Sequence, residues 1–169
     1  MLAVLLFGAA MPASAQTPYV FFYRIADAWS VTCWQNMASG RKSCSLAAPR
    51  TALSANWPQN ILHVGEIAAE RFQVAIEVRA TVMPGTALSI RVDDGPVREA
   101  AVAADSVARF DGEAARDLIV ALLGGRDVVY RVQTAPDGMP LDMRVPLAGF
   151  REALEVYRGV IRHHGLIGG

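Results

Sequence analysis

The stretch Trp29-Ser30-Val31-Thr32-Cys33-Trp34 alternates from residue to residue. Trp29, Val31 and Cys33 fall on one side, and Ser30, Thr32 and Trp34 on the other. A period of two marks a half-buried β-strand, because successive side chains point to opposite faces of the pleat. Asn36 to Lys42 (NMASGRK) supplies turn residues, and Cys44, Leu46 and Ala48 resume the alternation. The two runs therefore predict an antiparallel hairpin.

Working outward, the same period recurs. Phe72, Val74, Ile76 and Val78 form one face of the clearest strand, with Gln73, Glu77 and Arg79 on the other. Leu88, Ile90 and Val92 form the next apolar face. Asp93-Asp94-Gly95-Pro96 is a strong turn signal, and Val97 to Ala103 is expected to return as the partner strand. Shorter strands are predicted at Ile61 to Val64, Val107 to Phe110, Val128 to Val132 and Leu141 to Val145, the last two joined by a turn at Ala135-Pro136-Asp137-Gly138. Tyr19 to Tyr23 is aromatic and β-favouring, either a first strand or a lead-in. Pro49 to Gln59 reads as a loop.

The period changes twice. Ala115, Leu118, Ile119 and Leu122 fall at helical spacing within Glu113 to Leu123, and Gly124-Gly125 closes that segment. Phe150, Leu154, Tyr157 and Ile161 line one face of a second helix, and His163 to Gly169 reads as a frayed tail. Many short strands and two brief helices predict a mostly β protein, an antiparallel β-sandwich with one or two short helices. Without repeats, low-complexity tracts or a linker, residues 16–169 are expected to form a single domain.

The first fifteen residues, MLAVLLFGAAMPASA, read as an export signal. Leu2 to Ala10 is apolar, and Ala13-Ser14-Ala15 offers the small-x-small pattern of a cleavage site before Gln16. No Lys or Arg precedes the apolar run. A membrane-spanning helix needs about 20 apolar residues, and Pro12, Ser14, Gln16 and Pro18 interrupt this one early. The expected compartment is the periplasm or outer envelope.

Export fixes the reading of the two cysteines, Cys33 and Cys44. Paired cysteines are the rule in oxidising compartments. Ten intervening residues do not make the C-x-x-C spacing of a redox pair, and no histidine stands close enough in sequence to complete a zinc site. A structural disulfide clipping the hairpin is expected.

Composition excludes other classes. Hydrophobic residues make up 53% and charged residues 19%, which argues against disorder. Sixteen basic residues balance sixteen acidic ones. A near-neutral surface supplies no electrostatic drive toward nucleic acid, although an envelope location leaves peripheral membrane association open.

Several of these segments together resemble the invasion-associated locus B family of exported bacterial envelope proteins. Trp29-Ser30-Val31-Thr32-Cys33 followed by Cys44-Ser45-Leu46 is similar to that family's opening. Leu88 to Gly95 resembles its strand and turn. Leu118 to Leu123, then Gly124 to Val129, then Val145-Pro146-Leu147-Ala148-Gly149-Phe150 with Ala153-Leu154, resembles its helix, turn, strand and terminal segment. The resemblance spans Trp29 to Tyr157 and is weak from Pro49 to Glu70. The family commonly carries a second cysteine pair before the helix. Ala100 to Phe110 has none, which makes this chain a divergent relative. The resemblance implies an envelope protein, some of whose relatives are linked to host-cell invasion, and it maps no catalytic residue.

The residues themselves offer little chemistry. His63 lies in an apolar run near Asn60 and Glu66, and a strand-end or loop histidine is the expected reading over a Ser-His-carboxylate triad. His163-His164 point about 100° apart on a helix and are not expected to chelate. Asp93-Asp94-Gly95 lacks the remaining ligands of a calcium loop. No cofactor, metal site or catalytic set is expected, and the chain is not expected to be an enzyme. The aromatics are more suggestive: Tyr19, Tyr23, Trp34 and Trp57. Trp34 opposes the Trp29 face, so it is either part of an exposed contact surface with Tyr19 and Tyr23 or covered by the Tyr19 to Tyr23 segment. The expected function is non-enzymatic binding of an envelope partner protein. The alternatives are a small-ligand carrier, marked by a deep apolar pocket between sheets; an accessory subunit of a membrane complex, held by an uncleaved leader; and a hydrolase, if His63 met a nucleophile and a carboxylate in space.

Overall fold

A computed structural model describes residues 18–48, 60–68, 71–83 and 85–166. The leader, the Pro49 to Gln59 loop and Trp57 lie outside the described residues. Ten strands and two helices follow in the order β1 (Tyr19–Ala26), β2 (Trp29–Gln35), β3 (Lys42–Ala48), β4 (Asn60–Ala68), β5 (Arg71–Val78), β6 (Ala87–Val92), β7 (Arg98–Ala101), β8 (Val107–Asp111), α1 (Gly112–Gly124), β9 (Asp127–Gln133), β10 (Pro140–Pro146) and α2 (Phe150–His163). They form two antiparallel sheets. The large sheet runs β1-β2-β3-β4-β5-β8 and the small one β10-β9-β6-β7. The isolated bridge between Val102 and Ala108 joins them at one corner.

The alternation quoted first decides the core. Trp29, Val31 and Cys33 of β2 and Leu46 and Ala48 of β3 are buried, as are Val74, Ile76 and Val78 of β5. They meet Leu88, Ile90, Val92, Val128, Tyr130, Val132 and Val145 of the small sheet in one continuous cluster. Both helices turn their predicted faces into the same cluster. α1 gives Ala115, Leu118, Ile119 and Leu122. α2 gives Phe150, Ala153, Leu154, Tyr157 and Ile161.

The hairpin forms in the predicted register. Cys33 stands directly opposite Cys44, and the two are joined by a disulfide with Cα atoms 4.0 Å apart. Asn36 builds the turn: its Oδ1 accepts from the backbone N–H groups of Ala38 and Ser39. The Asp93 turn is likewise structural. Its carboxylate accepts from the N–H groups of Arg126 and Asp127, which ties the β6–β7 turn to the start of β9 and holds the Asp93 carboxyl below the usual carboxylate range.

Three sequence readings are refined. Gly125 closes α1, but in extended rather than left-handed backbone. Glycine is needed there for space, since a Cβ would meet Val92 Cγ1 at 2.3 Å. The described tail is ordered through Leu166 rather than frayed. Gly165 adopts a left-handed φ of 58°, and Leu166 N–H donates to Ile161 O while Gly165 N–H donates to Arg162 O, a Schellman closure. The His164 ring rests edge-on against Phe21, centroids 5.0 Å apart. Finally, Tyr19 to Tyr23 belongs to a strand that continues to Ala26.

The segment before α2 locks the layers together. Trp29 Nε1 donates to Pro146 O at 3.1 Å, and its ring lies 4.6 Å from Phe150. Gly149 has φ +82°, and a Cβ there would meet Ala26 O at 2.3 Å. Gly112 is also left-handed but has nothing within 4 Å. Gly112→Ala is therefore expected to cost only the conformational term of about 1–2 kcal/mol. Gly149→Ala adds a backbone collision and should cost clearly more, read as the difference in urea midpoint between the variants. Reduction of the disulfide, or Cys33→Ala, should destabilise the fold by about 3 kcal/mol on the chain-entropy account. Equal melting temperatures with and without reductant would refute that role.

Candidate functional site

The helices lie on the inner face of the large sheet; on its outer face Ser30, Ala47 and Ile61 are also buried, while the β1 edge carries exposed side chains. Along β1 the outward row is apolar. Val20 stands opposite Trp34, Tyr23 opposite Thr32 and Ile25 opposite Ser30. Tyr19, Val20, Tyr23 and Ile25 are 57%, 50%, 51% and 40% exposed. Trp34 is half-buried on the neighbouring strand. The segment from Tyr19 thus pairs beside Trp34 in the sheet rather than folding over it. Of the three aromatics chosen from the sequence, Tyr23 and Trp34 share the outer face with Val20 and Ile25, while Tyr19 stands opposite Gln35 on the other side of the pleat. Val20 and Ile25 were missed because their exposure follows from the position of β1 at the sheet edge.

The sheet edges are treated unequally. β10 begins and ends in proline, Pro140 and Pro146, and its outward Asp142 and Arg144 form ion pairs with Arg131 and Asp127. β7 is four residues long, and the Val102–Ala108 bridge covers its junction with β8. Proline, outward charge, shortness and covering are the usual devices against edge-to-edge pairing. β1 has eight residues, no proline and one charge, Arg24, which leans onto Glu152 of α2 at 3.3 Å. Its one blunting device is a bulge at Phe21, between Val20 and Phe22.

A second feature lies three strands away. His63 sits within β4, not at a strand end or in a loop, and is paired with Ala47 of β3 and Ala75 of β5. Its Nδ1 is 3.0 Å from Ser45 Oγ, and its Nε2 is 3.5 Å from Glu77 Oε2. The other oxygen of Glu77 accepts from Arg79 Nε at 3.0 Å. The side chains of Asn60 and Glu66, the near neighbours in sequence, lie outside those the structure describes. Ser45 and Glu77 come from adjacent strands, a proximity that only strand register creates. An ionised carboxylate can only accept, so the Nε2 position carries the ring proton toward Glu77, and Nδ1 accepts from the Ser45 hydroxyl.

The His63 side chain is 33% exposed. Burial lowers its pKa from 6.5, outweighing Glu77, which acts to raise it. The neutral ring is therefore the form the fold prefers.

Two recesses of about 480 and 490 Å³ also open on the surface. One is lined by Arg79, Thr81, Val102 and Ser106, the other by Ser89, Glu99, Arg131 and Gln133. Neither is the deep apolar pocket between sheets that would mark a small-ligand carrier. Among the described residues no group of three or more His, Cys, Asp or Glu is placed to hold a metal ion, and no helix is long and apolar enough to cross a membrane.

The fold has a solved counterpart. The chain is similar to invasion associated protein b from Bartonella henselae, with a TM-score of 0.64 and 18% identity, over 83% of this chain and 99% of that one. At that identity the likeness establishes a shared fold. No protein-family model and no curated protein matches the chain.

The histidine shift sets a pH dependence. A group whose folded pKa is depressed contributes stability that is present above its unfolded value and lost as pH falls through the folded one. Stability should therefore decline as pH drops below about 6.5 through the His63 transition, and His63→Gln should flatten that component. Denaturant midpoints at pH 7.5 and 5 measure it.

Proposed function

We propose that this chain is an exported envelope protein of the invasion-associated locus B kind, and that it binds a partner protein by accepting an extended partner strand along β1. The observation that carries the reading is the contrast among edges: β1 alone combines length, near-absence of charge and four exposed apolar residues. An open strand edge presents a row of backbone donors and acceptors, which supply affinity to an added strand, while side chains on alternate positions supply selectivity. Tyr23 and Tyr19 suit the second role, because tyrosine brings large contact area together with a polar tip. The oxidised cysteine pair, the leader-like opening and the shared fold support the compartment.

Site-specific photo-crosslinking in the native host tests it. A crosslinker at Tyr23 or Ile25 should trap one defined protein, whereas one at Arg91, on the outer face of the small sheet, should not. Tyr23→Lys should weaken capture at least about tenfold, the scale of an interface anchor. Equal yields from both faces, or capture indifferent to β1 substitutions, would remove the reading, and a co-purified small molecule would favour a carrier. The intact mass of the recovered protein, beginning at Gln16, would report leader removal.

A further inference from the structure

The Ser45–His63–Glu77 cluster takes no part in strand addition at β1. We propose that Ser45 is a nucleophile activated by His63, and that the site takes an acyl group from small activated esters. The geometry supplies a hydroxyl on the ring nitrogen that accepts, a carboxylate on the nitrogen that donates, and an arginine holding that carboxylate. This is the division of labour of nucleophile, base and orienting acid, recognised by roles rather than by sequence order. The ring is presented by its Nδ1 to the serine and by its Nε2 to the acid. The three side chains stand on β3, β4 and β5, so ladder hydrogen bonds fix their spacing without a loop. Thr32 lies directly opposite Ser45 in the β2–β3 register. Directly opposed residues have Cβ atoms about 4.5–5.5 Å apart on one face, which sets the Thr32 side chain beside Ser45 as the candidate donor to the developing oxyanion.

The reaction balances without a cofactor. Ser45 Oγ attacks the ester carbonyl carbon as its proton passes to His63 Nδ1. The resulting imidazolium is stabilised by Glu77. Collapse breaks the carbon–oxygen bond to the leaving alcohol, which takes the proton back from Nδ1 and leaves an acyl ester on Ser45. Water, deprotonated by the same nitrogen, then attacks the acyl carbon; the bond to Ser45 Oγ breaks, Oγ takes the proton back from Nδ1, and the carboxylic acid leaves. The charged groups around the ring are Glu77 of β5 and Arg79 just beyond its end. Its β3 neighbours Ser43, Ser45 and Ala47 carry no charge, and Arg109 of β8, in register with Ala75, is held by Asp105. Burial keeps the ring neutral near pH 7 and available as base.

The test uses the oxidised full chain, a fluorophosphonate probe and p-nitrophenyl acetate. The expected result is a single phosphonyl adduct mapped to Ser45, absent in Ser45→Ala. The rate should fall about 100-fold in His63→Gln, the scale of lost general-base assistance, and should fall in Thr32→Val as well. It should rise with pH through a midpoint below 6.5 in the wild type. No adduct, an adduct elsewhere, or Ser45 labelling unchanged in His63→Gln would overturn the proposal. Should His63→Gln lose its near-ultraviolet dichroism, the wild-type pH profile and Glu77→Gln decide instead, and a flat profile with an unaltered Glu77→Gln rate overturns it. Partner capture at β1 is independent of every one of these readouts.

Discussion

Trp29 is the contact on which the layers depend. Its ring is fully buried and packed at a tilt against the first residue of α2, and its one polar atom is satisfied by the carbonyl that ends β10. A buried indole N–H without an acceptor would cost on the order of 1–3 kcal/mol. The position of Pro146 is therefore as important as the burial itself. Through this side chain the large sheet, the small sheet and the terminal helix meet at one point. The chain that follows obeys the same constraint. Leu147 N–H donates to Arg126 O, Gly149 passes against the backbone of Ala26 with no room for a side chain, and Phe150 closes on Trp29. Within the run Val145 to Phe150, Pro146 and Phe150 both meet Trp29, Leu147 meets Arg126 and Gly149 meets Ala26.

That arrangement also determines what the large sheet has left to offer. Because α2 packs on the inner side of β1, β2 and β3, the apolar residues of those strands divide into a buried set facing the helix and an outward set facing nothing among the described elements at β1. The outward Tyr23 and Ile25 follow from the same alternation that buries Ala26 and packs the half-buried Phe22 against the core. The disulfide strengthens this division by fixing the register of β2 on β3, and a one-residue slip would exchange the two faces. The separate β3–β4 register brings Ser45 beside His63 on adjacent strands. The two surface features thus follow from different strand pairings of one sheet, one at its edge and one on its face.

The amphipathic elements were legible in the sequence. The β2–β3 hairpin, the β5 and β6 faces and the buried stripes of α1 and α2 all stand where alternation or helical spacing put them, because one-sided burial writes its period directly into the chain. Boundaries were less legible. β4 runs beyond Ile61 to Val64 at both ends, and the Gly165 closure of α2 was invisible because Gly and His at a chain end carry no period. The histidine site was the least legible part. His63 is 18 residues from Ser45 in the hydrogen-bonded pair, and its sequence neighbours pointed to Asn60 and Glu66. No local rule selects Glu77 as the carboxylate.

By itself, the sequence determined the fold class, the hairpin and its disulfide, and the faces of both helices, since each depends on interactions between residues a few positions apart or on the chain's apolar period. Tertiary structure alone decided which strand became the open edge and which polar side chains met on the sheet. Those outcomes depend on strand order and register across the whole sheet, and strand order is set by how distant segments share one core, a property that no window of sequence contains.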